Sequence, residues 1–178
     1  GPMTFLSRAG SISVSDTVTS GAALSLSASS GSVGGTTLLS KGDIALLSGL
    51  DLGFSGLVRS EGNVQAMAGT GIQYGGMEAN GNIALSSLAG VISLDKRTAA
   101  GGDLRIQQKN IDLSANRADL AATGTLFLGA DTINFANSTM TFGGFDLAST
   151  YATDLTGTEL NAVVSGGSGT GNVSVSAN

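Results

Sequence analysis

The stretch GNIALSSLAGVISL, residues 81–94, alternates aliphatic side chains with small or polar ones. Ile83, Leu85, Ile92 and Leu94 fall on one phase. Period two marks strands with one buried face. Residues 86–91, between the two runs, lack the Asn-Gly or Asp-Gly pair that closes a tight hairpin. The chain is therefore expected to bend here without reversing.

The stretch also has relatives along the chain. GDIAL begins at Gly42, GNVQA at Gly62, GNIAL at Gly81, GDLRI at Gly102 and GTLFL at Gly124. Their first aliphatic residues, Ile44, Val64, Ile83, Leu104 and Leu126, are 20, 19, 21 and 22 residues apart. A looser copy, GAALSL, sets Leu24 another 20 residues upstream. Each unit carries a second alternating segment: Leu50–Leu52, Ile72–Tyr74, Ile92–Leu94, Ile111–Leu113 and Ile133–Phe135. A weaker third segment lies near Leu57, Met77, Thr98, Ala118 and Met140. No helix-period run interrupts them. A fixed period of this length indicates stacked units, and the leucine and asparagine spacing of a leucine-rich repeat is absent.

Three short one-faced strands per unit predict an all-β fold, a parallel β-helix (β-solenoid) in which each unit makes one rung about 4.8 Å above the last. At this period the chain holds about eight rungs along an axis of about 40 Å. The rungs are most regular over about 42–145. They are looser toward both ends, where GTEL at Gly157 and GNVSV at Gly171 break the spacing. Aliphatic residues are expected inside, with little room for large rings. Glycine is expected at the corners because it tolerates positive φ. The residue after each corner glycine, Asp43, Asn63, Asn82, Asp103 and Thr125, is expected to stack into an axial hydrogen-bonded ladder.

Composition sharpens this picture. The 28 glycines and single proline among 178 residues resemble a linker, but 41% hydrophobic content indicates a folded, turn-dense chain. The length suits one domain, read as 4–178, with Gly1-Pro2-Met3 as the scar of a cleaved tag. There are no cysteines and no histidines. This excludes disulfides, thiol chemistry and the commonest acid–base group and metal ligand. No cofactor or metal is expected, and no catalysis. All eight Lys and Arg lie at or before Arg117, and only acids follow. A net charge of -5 placed this way disfavours nucleic acid and anionic membrane as partners. The longest uncharged runs are rich in Gly, Ser and Thr, so no membrane insertion of this segment is expected.

The units GDIAL, GNVQA and GNIAL at this spacing resemble the haemagglutinin repeats of filamentous haemagglutinins, exoproteins of bacterial two-partner secretion systems, whose repeat is shared by contact-dependent growth-inhibition proteins. The likeness covers most of the chain and is clearest from Gly42 to Phe142. It implies a right-handed parallel β-helix and export through an outer-membrane pore transporter. It also implies a secreted, cell-surface location and an adhesive or shaft role toward a host-cell receptor, bacterial receptor or glycan.

Few residues suggest chemistry. Parallel β-helices also build polysaccharide-cleaving sites from charges on neighbouring rungs, which makes Arg59, Glu61, Glu78, Arg97, Arg117 and Asp119 the candidates for a carbohydrate-active alternative. Phe127 lies out of phase with Leu126 and Leu128 and is expected to face outward. With Asp131 and Tyr151 it forms the candidate ligand surface. GGSGTGNVS, from Gly166, resembles a calcium-binding nonapeptide but has Gly171 where an Asp ligand belongs. Two sequons, at Asn137 and Asn172, are expected to go unused in a bacterial protein. A phage or cell-surface spike is a further alternative for the same architecture.

Overall fold

The computed structural model describes residues 1–94, 96–108, 112–116, 118–136, 138–154, 159–162 and 173–177. Side chains at 112–116, 132, 134–136 and from 147 onward lie outside that description. Seventeen strands follow one another without a helix among the described residues. They are β1 (Met3–Ser7), β2 (Ile12–Ser20), β3 (Leu24–Ala28), β4 (Val33–Ser40), β5 (Ile44–Ser48), β6 (Leu52–Ser60), β7 (Val64–Ala68), β8 (Ile72–Ala79), β9 (Ile83–Ser87), β10 (Ile92–Leu94), β11 (Thr98–Ala100), β12 (Leu104–Gln108), β13 (Asp112–Asn116), β14 (Asp119–Ala136), β15 (Thr139–Asp154), β16 (Glu159–Ala162) and β17 (Val173–Ala177).

Strands pair in parallel with the equivalent strand one lap away. β1 pairs β3, β3 pairs β5, β5 pairs β7, β7 pairs β9 and β9 pairs β12. The register joins Leu24, Ile44, Val64, Ile83, Leu104, Leu126 and Phe145 into one column. Every member of that column is at most 1% exposed, so the column is the core of the first face. Burying each such side chain is worth roughly 1.5–3 kcal/mol. From Leu24 to Phe145 the stack makes six turns, fewer than the eight expected for the whole chain. β1 adds a level beneath, and Met3, whose partner is Leu24, belongs to it.

The second and third faces differ from the expected pair of separate short strands. β2, β4, β6 and β8 run across the corner between them, with register shifts at Val14/Thr17, Gly35/Leu38 and Phe54/Leu57. The bulged corner lets one strand serve two faces. The second column is Val33, Leu52, Ile72 and Ile92, and the third is Leu38, Val58, Met77, Thr98, Leu120 and Met140. Leu50 is exposed at the preceding corner while Leu52 takes the inward place, and Leu113 pairs with Ile133. Val58 takes the inward place beside Leu57 on the third face, and Ala118 and Leu120 are both buried there. At the bulge itself, the shift between Phe54 and Leu57 turns Val58 rather than Leu57 inward.

The interior also admits large rings. Phe54, Tyr74, Phe142 and Phe145 are fully buried. Phe54 and Tyr74, register partners on successive laps, lie nearly parallel, 9° apart in plane with centroids 6.3 Å apart. Phe142 and Phe145 stack at 4.9 Å. Flat rings lying parallel to one another follow the layering of the rungs, so the interior accepts aromatics in stacks.

Candidate functional site

The corner that leads from the third face to the first carries the Gly-Asx pairs. Asp43 Oδ1 accepts the backbone N–H of Asn63 at 2.7 Å and its side-chain amide at 3.1 Å. Asn63 Oδ1 accepts the N–H of Asn82, Asn82 Oδ1 that of Asp103, and Asp103 Oδ1 that of Thr125, each at 2.8 Å. The ladder therefore runs from side-chain oxygen to the next backbone N–H. Asp and Asn are equivalent in this role because both offer Oδ1.

The adjoining glycines have a different cause from the one expected. None of the corner glycines preceding the ladder residues has positive φ; Gly10 does, at 137°. What they need is space. A Cβ on Gly62, Gly81, Gly102 or Gly124 would overlap the Oδ1 of Asp43, Asn63, Asn82 or Asp103 one lap below.

Buried serines, which no sequence pattern singled out, hold the same corner and the next one. Ser60 Oγ accepts the N–H of Gly62 at 3.0 Å and shares its proton between Gly42 O at 2.8 Å and Asn63 O at 3.1 Å. Ser48 does the same where the first face meets the second, with Leu50 N–H, Gly31 O and Asp51 O. Ser20, Ser40 and Ser87 repeat the motif. The signal that could have found them is a serine two or three residues before the corner glycine or turn residue.

The charged candidates fall on the third face. Arg59 and Glu78 are register partners with Nε to Oε2 at 3.8 Å, and Arg97 reaches Asp119 at 3.2 Å. Between them Ala99, Ala121 and Thr141 floor a shallow groove of about 400 Å³. Three of the six charged candidates, Arg59, Glu78 and Arg97, thus line one groove, and Asp119 joins them through its pair with Arg97; the four form two Arg–carboxylate pairs rather than a carboxylate couple. Glu61 stands at the corner beside Lys41, away from Glu78's groove. Arg117 lies outside the described residues.

Of Phe127, Asp131 and Tyr151, the described side chains are those of Phe127 and Asp131. Phe127 sits on the outer row of the first face between Arg105 and Asp146. The Arg105 guanidinium lies over its ring, 4.9 Å from the centroid, which leaves the ring half-buried. Asp131 stands four residues on, at a corner where the register shifts. Tyr151 follows Ser149 at the same corner one lap above, with its side chain outside the described residues. Residues 166–172 of the calcium-like nonapeptide and the two sequon asparagines also lie outside them. Among the described residues no group of three acidic side chains could hold a metal ion.

Comparison with protein-family models, with curated proteins and with solved structures finds no match.

Proposed function

We propose that the chain is a structural and adhesive β-solenoid segment of a secreted bacterial surface exoprotein. In this reading an outer-membrane pore transporter exports it unfolded, and it acts on the cell surface as a rigid shaft that spaces or displays contacts with a host-cell receptor, bacterial receptor or glycan. It does no chemistry itself. One observation carries the reading: the same inward column, corner ladder and corner serines recur lap after lap, so the residue types that repeat are those that stiffen the stack. An exported rod without cysteine also suits passage through a pore, because no cross-link hinders threading.

The test is binding of fluorescently labelled protein to epithelial and Gram-negative cells, together with its shape in negative-stain electron microscopy. Saturable adherence by a straight rod is expected, and a chain that adheres to neither cell type would overturn the adhesive part.

A second reading, a carbohydrate-active β-helix, draws on the third-face groove lined by Arg59, Glu78 and Arg97, with Asp119 paired to Arg97. Release of reducing ends from polysaccharides, lost in both Glu78→Gln and Asp119→Asn, would establish it in place of the first. A spike of a phage would be indicated by a baseplate gene cluster, and an exoprotein by a neighbouring transporter gene.

A further inference from the structure

Asn80–Gly81 is the one Asn-Gly pair in the chain. It stands at the corner that leads from the third face to the first. Asn80 is exposed, and its side-chain amide has no hydrogen-bond partner among the described residues. The ladder asparagines differ on this point. Asn63 and Asn82 are held through Oδ1, and each is followed by a β-branched residue, Val64 or Ile83, that crowds the next backbone nitrogen.

The Asn80 corner also lacks a clamp that the two laps below possess. Ser40 and Ser60 are buried there, and each Oγ accepts the N–H of the corner glycine, Gly42 at 3.2 Å and Gly62 at 3.0 Å. On the next lap their place is taken by Ala79, the register partner of Ser60. Gly81 N–H therefore has Gly62 O alone, at 2.9 Å, whereas Gly42 N–H has both Ser40 Oγ and Ala22 O.

We propose that Asn80 is a site of spontaneous modification, converted to aspartate and isoaspartate when this corner opens. The deprotonated Gly81 nitrogen attacks Asn80 Cγ. The bond from Cγ to the side-chain nitrogen breaks, ammonia leaves, and a cyclic imide remains. Water then opens the imide at either carbonyl. Glycine permits the attack because it carries no Cβ to obstruct it. The bond to Gly62 O opposes it, because the nitrogen must give up that proton and turn toward its neighbour's side chain. The reaction thus proceeds from the locally opened corner, and its rate follows the frequency of opening. The product disturbs the stack. Asn80 N–H donates to Ser60 O and Glu61 N–H to Ser40 O, which sets residue 80 one lap above Glu61. A carboxylate at residue 80 meets like charge there. Isoaspartate also lengthens the main chain where Asn80 O occupies the space beside Gly101.

Incubation at mildly alkaline pH followed by peptide mass spectrometry tests this. Deamidation is expected at Asn80 ahead of Asn63 and Asn82, and about tenfold faster in urea than in the folded protein. Ala79→Ser gives Gly81 N–H the second acceptor that Gly42 N–H has. It should slow the folded-state reaction at least threefold and leave the rate in urea unchanged. Aged protein should melt below fresh protein, and Asn80→Gln should remove that loss. No deamidation at Asn80, earlier deamidation at Asn63 or Asn82, equal rates with and without urea, or a folded-state rate unmoved by Ala79→Ser would each overturn the proposal. Should Ala79→Ser not fold, the wild-type rates with and without urea decide.

Discussion

At the scale of single residues, the fold is decided by what one lap leaves room for on the next. Gly81 shows this most plainly. Its missing Cβ is the space taken by Asn63 Oδ1, which accepts the N–H of Asn82 at 2.8 Å. Gly81→Ala must displace that oxygen and break the rung-to-rung bond, so it is expected to cost about 1–3 kcal/mol in urea denaturation. Tyr74 presents the opposite case. Its hydroxyl is buried without a hydrogen-bond partner, so Tyr74→Phe is expected to stabilise the protein by about 1 kcal/mol. Burial also raises the Tyr74 pKa well above its ordinary value. A raised folded-state pKa favours the neutral form in the native protein, so this contribution to stability is whole below the unfolded-state value near 10 and is lost as pH rises beyond it. In a Tyr151→Phe variant, which leaves Tyr74 as the single tyrosine, tyrosinate absorbance at 295 nm should appear together with the loss of β-sheet circular dichroism. Its appearance in a still-folded protein would contradict complete burial.

At the scale of elements, the corners matter more than the strands. Within the stack a strand is held by its equivalents on the laps above and below; each corner must satisfy backbone groups that leave the ladder. Ser48 Oγ serves one N–H and two carbonyls there. Ser48→Ala is expected to cost about 1–2 kcal/mol, whereas Ser27→Ala on the outer row of the first face should stay within about 0.5 kcal/mol. The equivalent inward places one lap away are Ala28 and Ala68. The serine is thus needed where the surrounding corner was built around it. The third-face ion pairs are weaker elements. The side chains of Arg97 and Asp119 are 60% and 41% exposed, so Arg97→Ala should change stability by less than about 1 kcal/mol, and by less still in high salt.

At the scale of the molecule, every lap touches mainly the laps above and below, and stability accumulates along one axis. Whole laps should therefore be removable units. Deleting 64–82 joins Asn63 to Ile83, keeps the ladder and restores the same register one lap shorter. The shortened protein should retain a β-sheet spectrum and a single cooperative transition, at lower Tm. Deleting half of that segment shifts the register by half a lap, puts aliphatic side chains on the outside and should abolish the fold. Circular dichroism and thermal melting of the two deletions distinguish a stack of repeats from a single globule.

What the chain alone determined was the lap. Ile44, Val64, Ile83, Leu104 and Leu126 recur at nearly constant spacing, and period-two alternation states which side of each strand is buried, because both signals are local and survive in one dimension. The Asx ladder positions and the outward phase of Phe127 were legible for the same reason. What only the tertiary structure decided was everything set by contact between laps. The bulged corner chose Val58 over Leu57. The oxygen of the lap below, not backbone twist, required glycine at the corners. Arg59 met Glu78 and Arg97 met Asp119 because residues 19 and 22 apart came into register.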